Sequence, residues 1–452
     1  MVINGLREYF SVLLLLGCLF PAIAGASQAN PESVFDLLPE LPRSLGRVTQ
    51  RFDPADRKPV RSVFLIQDVH SNYTTQKNIA GILNYLAQVG ELPLILVEGG
   101  SGKASLAFLR QEGTPTSRRS LAERFLREGI FTGYEYADIV GDREWSIWGV
   151  EEQDLYDLNF RCFVETKALG PQLTSYADWM NRTVEILSQR MLSRDLLLVR
   201  DSSRILAKDQ SQLPAYIRRL VGLWEESGHS IDSFPMLAQF SQRQQPPRPI
   251  ESFSISDSLT GIERLRVALE DDLARSPPEK EIVELGRIAM LINKLALLKW
   301  SPSDFAAYQV ARSKSDAASW LMDLQRLAAA SDLPRIEQSA VDRFPVDLEQ
   351  AARFYAAAEL RNTAIAENAL KRMQAEDASS AALIIGGFHS EQVSRQLVEA
   401  GLRVIVITPA VGMDTDPDRY TADILRKRQP WRPSSLLDRR LSRIPESGPA
   451  PR

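Results

Sequence analysis

The sequence predicts an α/β protein: a largely parallel sheet with flanking helices, built from two halves of the chain and interrupted by a large α-helical insertion. Three observations predict it. First, short runs such as Pro93-Leu-Ile-Leu-Val97 and Arg403 to Thr408 are apolar at every position or nearly so, which suits strands covered on both faces of a parallel sheet. Second, such runs alternate with stretches of helical periodicity near both ends of the chain, the pattern of βαβ units. Third, a strand–turn–histidine unit occurs once in each half, as Val63-Phe-Leu-Ile-Gln-Asp-Val-His70-Ser71 and Leu383-Ile-Ile-Gly-Gly-Phe-His389-Ser390.

Read in order, residues 1–29 are a signal peptide. Arg7 precedes the apolar run Phe10–Phe20, Pro21 breaks it, and Ala22-Ile-Ala-Gly-Ala26 supplies small residues for cleavage. The run is shorter than the ~20 residues a spanning helix needs, so it predicts export to a periplasmic or extracellular space. A lipoprotein signal at Leu15-Leu-Gly-Cys18 ranks second. Residues 30–160 form the first α/β half. Arg61–Ile66 is a strand, and Asn72–Gln88 a helix with Ile79, Ile82, Leu83 and Leu86 at helical spacing, which Ser71 or Asn72 can cap. Pro93–Val97 is a second strand ending at Glu98-Gly-Gly100. Helical stretches follow near 103–110 and 118–129, and Ser146-Ile-Trp-Gly-Val150 is a third strand ending at Glu151-Glu152.

Residues 161–345 are an α-helical insertion, with patterns over roughly 165–200, 202–227, 259–275, 278–300 and 303–330. Gln245-Pro-Pro-Arg-Pro249 and Ser276-Pro-Pro278 break it. Residues 346–427 form the second α/β half: an alanine-rich helix from Asp347 to about Gln374, a strand Ala382–Ile385, a turn carrying His389, a helix from about Glu391 to Ala400, and a strand Arg403–Thr408. Residues 428–452, rich in Pro, Arg and Ser, are expected to be a disordered tail.

A formal net charge of -4 over 452 residues gives no electrostatic basis for binding nucleic acid or an anionic membrane. Once the signal is removed, Cys162 is the only cysteine, so no intramolecular disulfide can form. It reads as a buried, inert thiol. No other long apolar run exists, so no stable transmembrane segment is expected after signal removal.

The chemistry concentrates at the strand ends. The chain has three histidines, and two of them, with Asp68, Glu98 and Glu151 or Glu152, follow apolar strands. Parallel strands would gather these groups on one sheet edge, where open α/β sheets bind ligands. Imidazole and carboxylate are donors for a divalent metal such as Zn, Mn, Fe or Co, with His70, Glu98 and His389 the expected ligands. Without metal the same groups can act as a general base and its orienting carboxylate. Each residue also has a plain structural reading: Asp68 as a helix cap, Glu98 as a loop carboxylate, His229 as an exposed loop residue. Arg361 and Asn362 on spacing alone read as a solvated helix face. The small residues Ala356, Ala357, Ala358, Ala364 and Ala366 around them suggest close packing instead, and a packed arginine needs a partner.

Asp68-Val-His70, Glu98-Gly-Gly, Gly149-Val-Glu151, Arg361-Asn362 and Gly386-Gly-Phe-His389 together resemble motifs of the superfamily joining the TraB/Tiki proteins, the erythromycin esterases and the ChaN-like haem-uptake proteins. The resemblance covers about 60–160 and 347–408. Gln67-Asp68 stand where a Gly-x-x-His element has its glycine, and Leu360 separates Glu359 from Arg361. The resemblance implies an α/β core whose active edge comes from both halves. Tiki-like members are metal-dependent proteases, the esterases hydrolyse with histidine and carboxylates without a required metal, and ChaN-like members bind haem. The expected function is therefore an exported peptide or ester hydrolase using His70, Glu98, His389, Glu151 as further ligand or base, and Arg361 for an anionic group or oxyanion. The alternatives are a haem or small-ligand binding protein, with Tyr73 and Tyr134 as axial oxygens, and a scaffold whose helical insertion binds a protein partner.

Overall fold

The computed structural model describes residues 41–55, 59, 61–69, 72–90, 92–200, 212–235, 237–241, 255–329, 333 and 335–412. The signal peptide, Cys18 and the carboxy-terminal tail lie outside the described residues. The chain divides into two compact units. One, carrying the sheet, draws its described residues from Glu32–Gln153 and Thr363–Arg452; the other is formed by Asp154–Asn362.

The strands are β1 (Gly46–Phe52), β2 (Ser62–Asp68), β3 (Leu94–Val97), β4 (Ser101–Lys103), β5 (Ser146–Val150), β6 (Ser380–Gly386) and β7 (Arg403–Pro409). The helices are α1 (Tyr73–Val89), α2 (Pro115–Arg127), α3 (Gly133–Val140), α4 (Gln153–Met191), α5 (Leu213–Glu226), α6 (Ile255–Leu273), α7 (Pro277–Ala296), α8 (Pro302–Lys314), α9 (Ala317–Ala329), α10 (Gln338–Ala375) and α11 (Gly387–Glu399). Among the described residues no helix is long and apolar enough to cross a membrane.

The sheet runs β1-β7-β2-β6-β3-β5-β4. Its five inner strands are mutually parallel, and the edge strands β1 and β4 are antiparallel to their neighbours. The alternating pleat sends successive side chains to opposite faces. Phe64, Ile66, Ile95, Val97 and Ile384 pack with Ile79, Ile82, Leu83 and Leu86 of α1 and with Leu126 and Ile139 of α2 and α3. Val63, Leu65, Leu96, Leu383 and Ile385 pack with Ile365, Ala369 and Met373 near the end of α10 and with Val393 and Leu397 of α11. Both faces are therefore covered, as the continuous apolar runs require.

The strand from the second half, β6, lies between β2 and β3 of the first. The β2–α1–β3 crossover steps over β6 with its helix on one face. The β6–α11–β7 crossover steps back over β2 with its helix on the other. Two crossovers of one hand that travel in opposite directions must use opposite faces, so the direction of winding switches between β2 and β6. That is where the carboxyl ends of an α/β sheet leave a crevice.

Several boundaries differ from the sequence expectation. The helix after β6 begins at Gly387, so His389 sits in its first turn and not in a turn before it. The pattern over 303–330 is two helices, parted at Ser315-Asp316. The alanine-rich helix starts at Gln338 and carries Pro345 inside it, anchored by buried Val341, Phe344 and Leu348. The edge strands β1 and β4 and the helix α3 were not expected.

Two stability predictions follow from local geometry. At the start of α7 the Glu279 carboxylate accepts from the N–H groups of Ser276 (3.0 Å), Arg275 (3.2 Å) and Ser193 (3.0 Å) and from the Ser276 hydroxyl (2.9 Å). The Ser276 N–H, foremost, holds its carboxyl below the ordinary glutamate value, with burial opposing. A folded pKa below the unfolded one means stabilisation present above about pH 4.3 and lost as pH falls through the lowered value. Glu279→Gln is expected to destabilise the helical unit by ~1–2 kcal/mol at neutral pH, with the gap closing in acid; urea unfolding at both pH values measures it. At the end of α10, Asp377 takes a left-handed φ of 47°, and its side chain stands in solvent, 3.6 Å from Arg61 Nη2, an exposed pair worth little. Glycine has no Cβ penalty there, so Asp377→Gly is expected to raise stability by ~0.5–1 kcal/mol, read as an increase in Tm.

Candidate functional site

The parallel inner strands bring the ends of β2, β6, β3 and β5 to one edge. Asp68 pairs in register with Gly386, Val97 with Ile384, and Val97 with Gly149 on its other side. The residues that follow each strand therefore emerge side by side.

Glu98 leaves β3 with its N–H still on Ile384 O (3.1 Å). Its side chain turns toward β6. The Gly386 N–H donates to Glu98 Oε2 at 2.6 Å, and Glu98 Oε1 lies 3.3 Å from His389 Nε2. Both side chains are almost enclosed, 10 % and 7 % exposed. Gly386 is the N-cap of α11 and offers no side chain to cap it. The Glu98 carboxylate accepts the N–H of that N-cap residue, as the reciprocal acceptor of a capping box does, beside a helix start whose amide dipoles favour negative charge. A Cβ at position 386 would sit 3.3 Å from Glu98 Oε2, so the glycine leaves room for the carboxylate. Glu98 is thus bound to the strand and helix that carry His389.

Of the adjacent pair after β5, Glu151 is buried and Glu152 exposed. The Gly99 N–H donates to Glu151 Oε1 (3.2 Å), and the Glu151 N–H donates to Gly100 O (3.0 Å).

Asp68, at the end of β2, is buried and does not cap α1; Asn72 does, accepting from the Thr75 N–H at 2.8 Å. Asp68 Oδ1 instead accepts from Gln76 Nε2 (2.5 Å), which also donates to Val69 O (3.2 Å). Gln76 Oε1 accepts from the Gly133 N–H at 2.6 Å. One buried amide thus joins the end of β2 to the start of α3. A Cβ at Gly133 would lie 2.2 Å from Gln76 O, so only glycine allows that approach. Sequence reasoning missed Gln76. The available signal was a polar residue in phase with Ile79, Leu83 and Leu86 on the buried stripe of α1.

His70 and Ser71 lie outside the described residues. Arg361 belongs to the helical unit. It is buried, not on a solvated face; its Nη1 donates to Asn159 Oδ1 (2.7 Å), and its guanidinium lies 5.3 Å from the Tyr156 ring centroid. Asn362, Ala357, Ala358, Ala364 and Ala366 around it are buried as well, whereas Ala356 is exposed. Cys162 is buried, and burial, then the charge of Glu165, raises its thiol pKa, as suits an inert sulfur. His229 is not simply an exposed loop residue: it stacks on Trp224 (4.1 Å) and places Nε2 3.0 Å from Asp272.

For a divalent metal, the described donors are Glu98 Oε1 and His389 Nε2. Two donors at tetrahedral angles around one Zn, each ~2.1 Å from it, stand ~3.4 Å apart. The observed 3.3 Å fits shared coordination as well as a hydrogen bond. Among the described residues no group of three or more His, Cys, Asp or Glu is arranged to hold a metal; the third expected ligand, His70, is not among them. For haem, the two phenols named as axial oxygens both lie among the described residues. Tyr73 donates to Glu123, and burial, then that hydrogen bond, raises its pKa. Tyr134 is held well above the ordinary value by burial, with the charges of Glu135, Asp68 and Asp138 adding to it against a hydrogen bond with Thr132.

No family model, curated protein or solved structure matches this chain. The resemblance to the TraB/Tiki, erythromycin esterase and ChaN-like superfamily rests on its motifs alone. The class that fold and site define is a three-layer α/β unit with a carboxylate–imidazole pair at its switch-point edge.

Proposed function

We propose that this protein is an exported hydrolase of ester or peptide bonds, with Glu98 and His389 as its reacting pair. The observation that carries the reading is the enclosed contact between Glu98 Oε1 and His389 Nε2, 3.3 Å long, at the carboxyl edge. A proton on Nε2, facing the carboxylate, would leave Nδ1 as the basic atom of the imidazole. Nδ1 then takes a proton from a water as its oxygen bonds to the substrate carbonyl carbon. The bond to the leaving alkoxide or amine breaks, and the same proton passes to that group. Glu98 stabilises the transient imidazolium and fixes the ring. A divalent ion held by Glu98 and His389 would supply a hydroxide near neutral pH.

The test is hydrolysis of ester and peptide panels by the purified chain, with and without chelator, beside His389→Ala. Removal of a general base is expected to cost roughly 10²–10⁴ in kcat/KM. Equal turnover by wild type and His389→Ala would sink the reading. Sensitivity to chelator separates the metal-assisted form from the metal-free one. Export is supported by the segment 1–29 and is checked by the amino-terminal mass of the secreted protein.

A further inference from the structure

We propose that Glu151 is a positioning residue for Glu98, acting through the Gly99-Gly100 turn, and that this role does not need its charge. The inference rests on the reading of Glu98 and His389 as the reacting pair. Immediately after Glu98 the chain enters two glycines, the first at a φ of 82°. Such a turn has little stiffness of its own, so something else must fix where Glu98 leaves the sheet.

Glu151 grips the turn twice. Its backbone N–H donates to Gly100 O at 3.0 Å, and its side-chain Oε1 accepts from the Gly99 N–H at 3.2 Å. The turn is also pressed onto β5 so closely that a Cβ on Gly149 would lie 2.1 Å from Gly100 C and O. Glu98 is thereby pinned from two sides. Its carboxylate is tied to Gly386 on the β6 side, and the backbone that follows it is tied to Glu151 on the β5 side. A backbone amide is a partner that needs only an acceptor oxygen. The charge and proton affinity that a base or metal donor needs are not required for this task.

That difference provides the test. Glutamine keeps an acceptor oxygen for the Gly99 N–H and loses the charge; alanine loses both. Three variants are compared with wild type: Glu151→Gln, Glu151→Ala and, as reference, Glu98→Gln. The readouts are kcat and KM on a substrate that wild type turns over, and residue-resolved amide exchange at Gly99 and Gly386. Glu151→Ala is expected to lower kcat roughly 10- to 100-fold with little change in KM, as a misplaced reacting group does, and to speed exchange at both glycines. Glu151→Gln is expected to restore kcat and both exchange rates to within about threefold of wild type.

The proposal is overturned if Glu151→Gln is as impaired as Glu98→Gln, which would give the Glu151 charge a direct role. It is equally overturned if Glu151→Ala leaves Gly386 exchange unchanged. Should wild type turn over nothing, the hydrolase reading fails, yet the exchange at Gly386 still decides whether Glu151 positions Glu98.

Discussion

Glu98→Gln is expected to lose most of the hydrolytic rate while keeping the fold. The substitution is isosteric, and the amide oxygen can still accept from the Gly386 N–H, which now makes a 2.6 Å bond. That demand fixes the amide orientation, so its NH₂ must face His389 Nε2, where Glu98 Oε1 stood at 3.3 Å. The ring nitrogen opposite an NH₂ has to be an acceptor. The imidazole proton then moves to Nδ1, and the atom offered to the attacking water is no longer basic. The expected loss in kcat/KM is roughly 10²–10⁴, with Tm within a few degrees of wild type. Glu98→Ala, by contrast, strands the Gly386 N–H and the start of α11, adding ~1–3 kcal/mol of instability. Full turnover by a folded Glu98→Gln protein would mean that the carboxylate only caps α11.

The same pair explains how far the sequence could be read. Four of the five strands legible in the sequence are covered on both faces and so apolar through their centres, from Val63–Ile66 to Val404–Ile407; β5, half-buried at Ser146, Trp148 and Gly149, was legible from its short β-forming run alone. β1 was invisible because it is a half-exposed edge carrying Arg47, Thr49, Gln50 and Arg51; β4 is three exposed residues. α11 was placed too late because Gly386-Gly387 looks like a turn. The N–H of its N-cap glycine is received by the Glu98 carboxylate, 288 positions away, a partner that no local pattern reveals. Strand ends identified Glu98, Glu151 and His389 one at a time. Their neighbourhood depends on β6 inserting between β2 and β3, a strand order that periodicity does not encode. Gln76 stayed hidden for a related reason. Its partners Asp68 and Gly133 come from separate elements, and an amide on an apolar stripe looks like a flaw until both are in place.

Gly149→Ala is expected to destabilise the sheet unit by ~3 kcal/mol and to impair turnover with it. The added Cβ would fall 2.1 Å from both Gly100 C and O and 2.5 Å from Ser101 N. All three obstacles are backbone, so no side chain can rotate away. Either β5 moves off β3, with which it pairs from Ser146 to Gly149, or the Gly99-Gly100-Ser101 segment retreats and draws Glu98 away from His389. Gly102→Ala is the control. Position 102 is two residues on in the same segment and has a φ of 81°, but nothing stands within 4 Å of its Cβ. It should cost only the ~1–2 kcal/mol of left-handed backbone strain and leave turnover near wild type. Chemical denaturation of both variants, with kcat measured on the folded fraction, distinguishes a steric wall from backbone strain. If Gly149→Ala unfolded with wild type and kept its rate, β5 would not be what braces the Glu98 turn, and the pair at the carboxyl edge would have to be held from the β6 side alone.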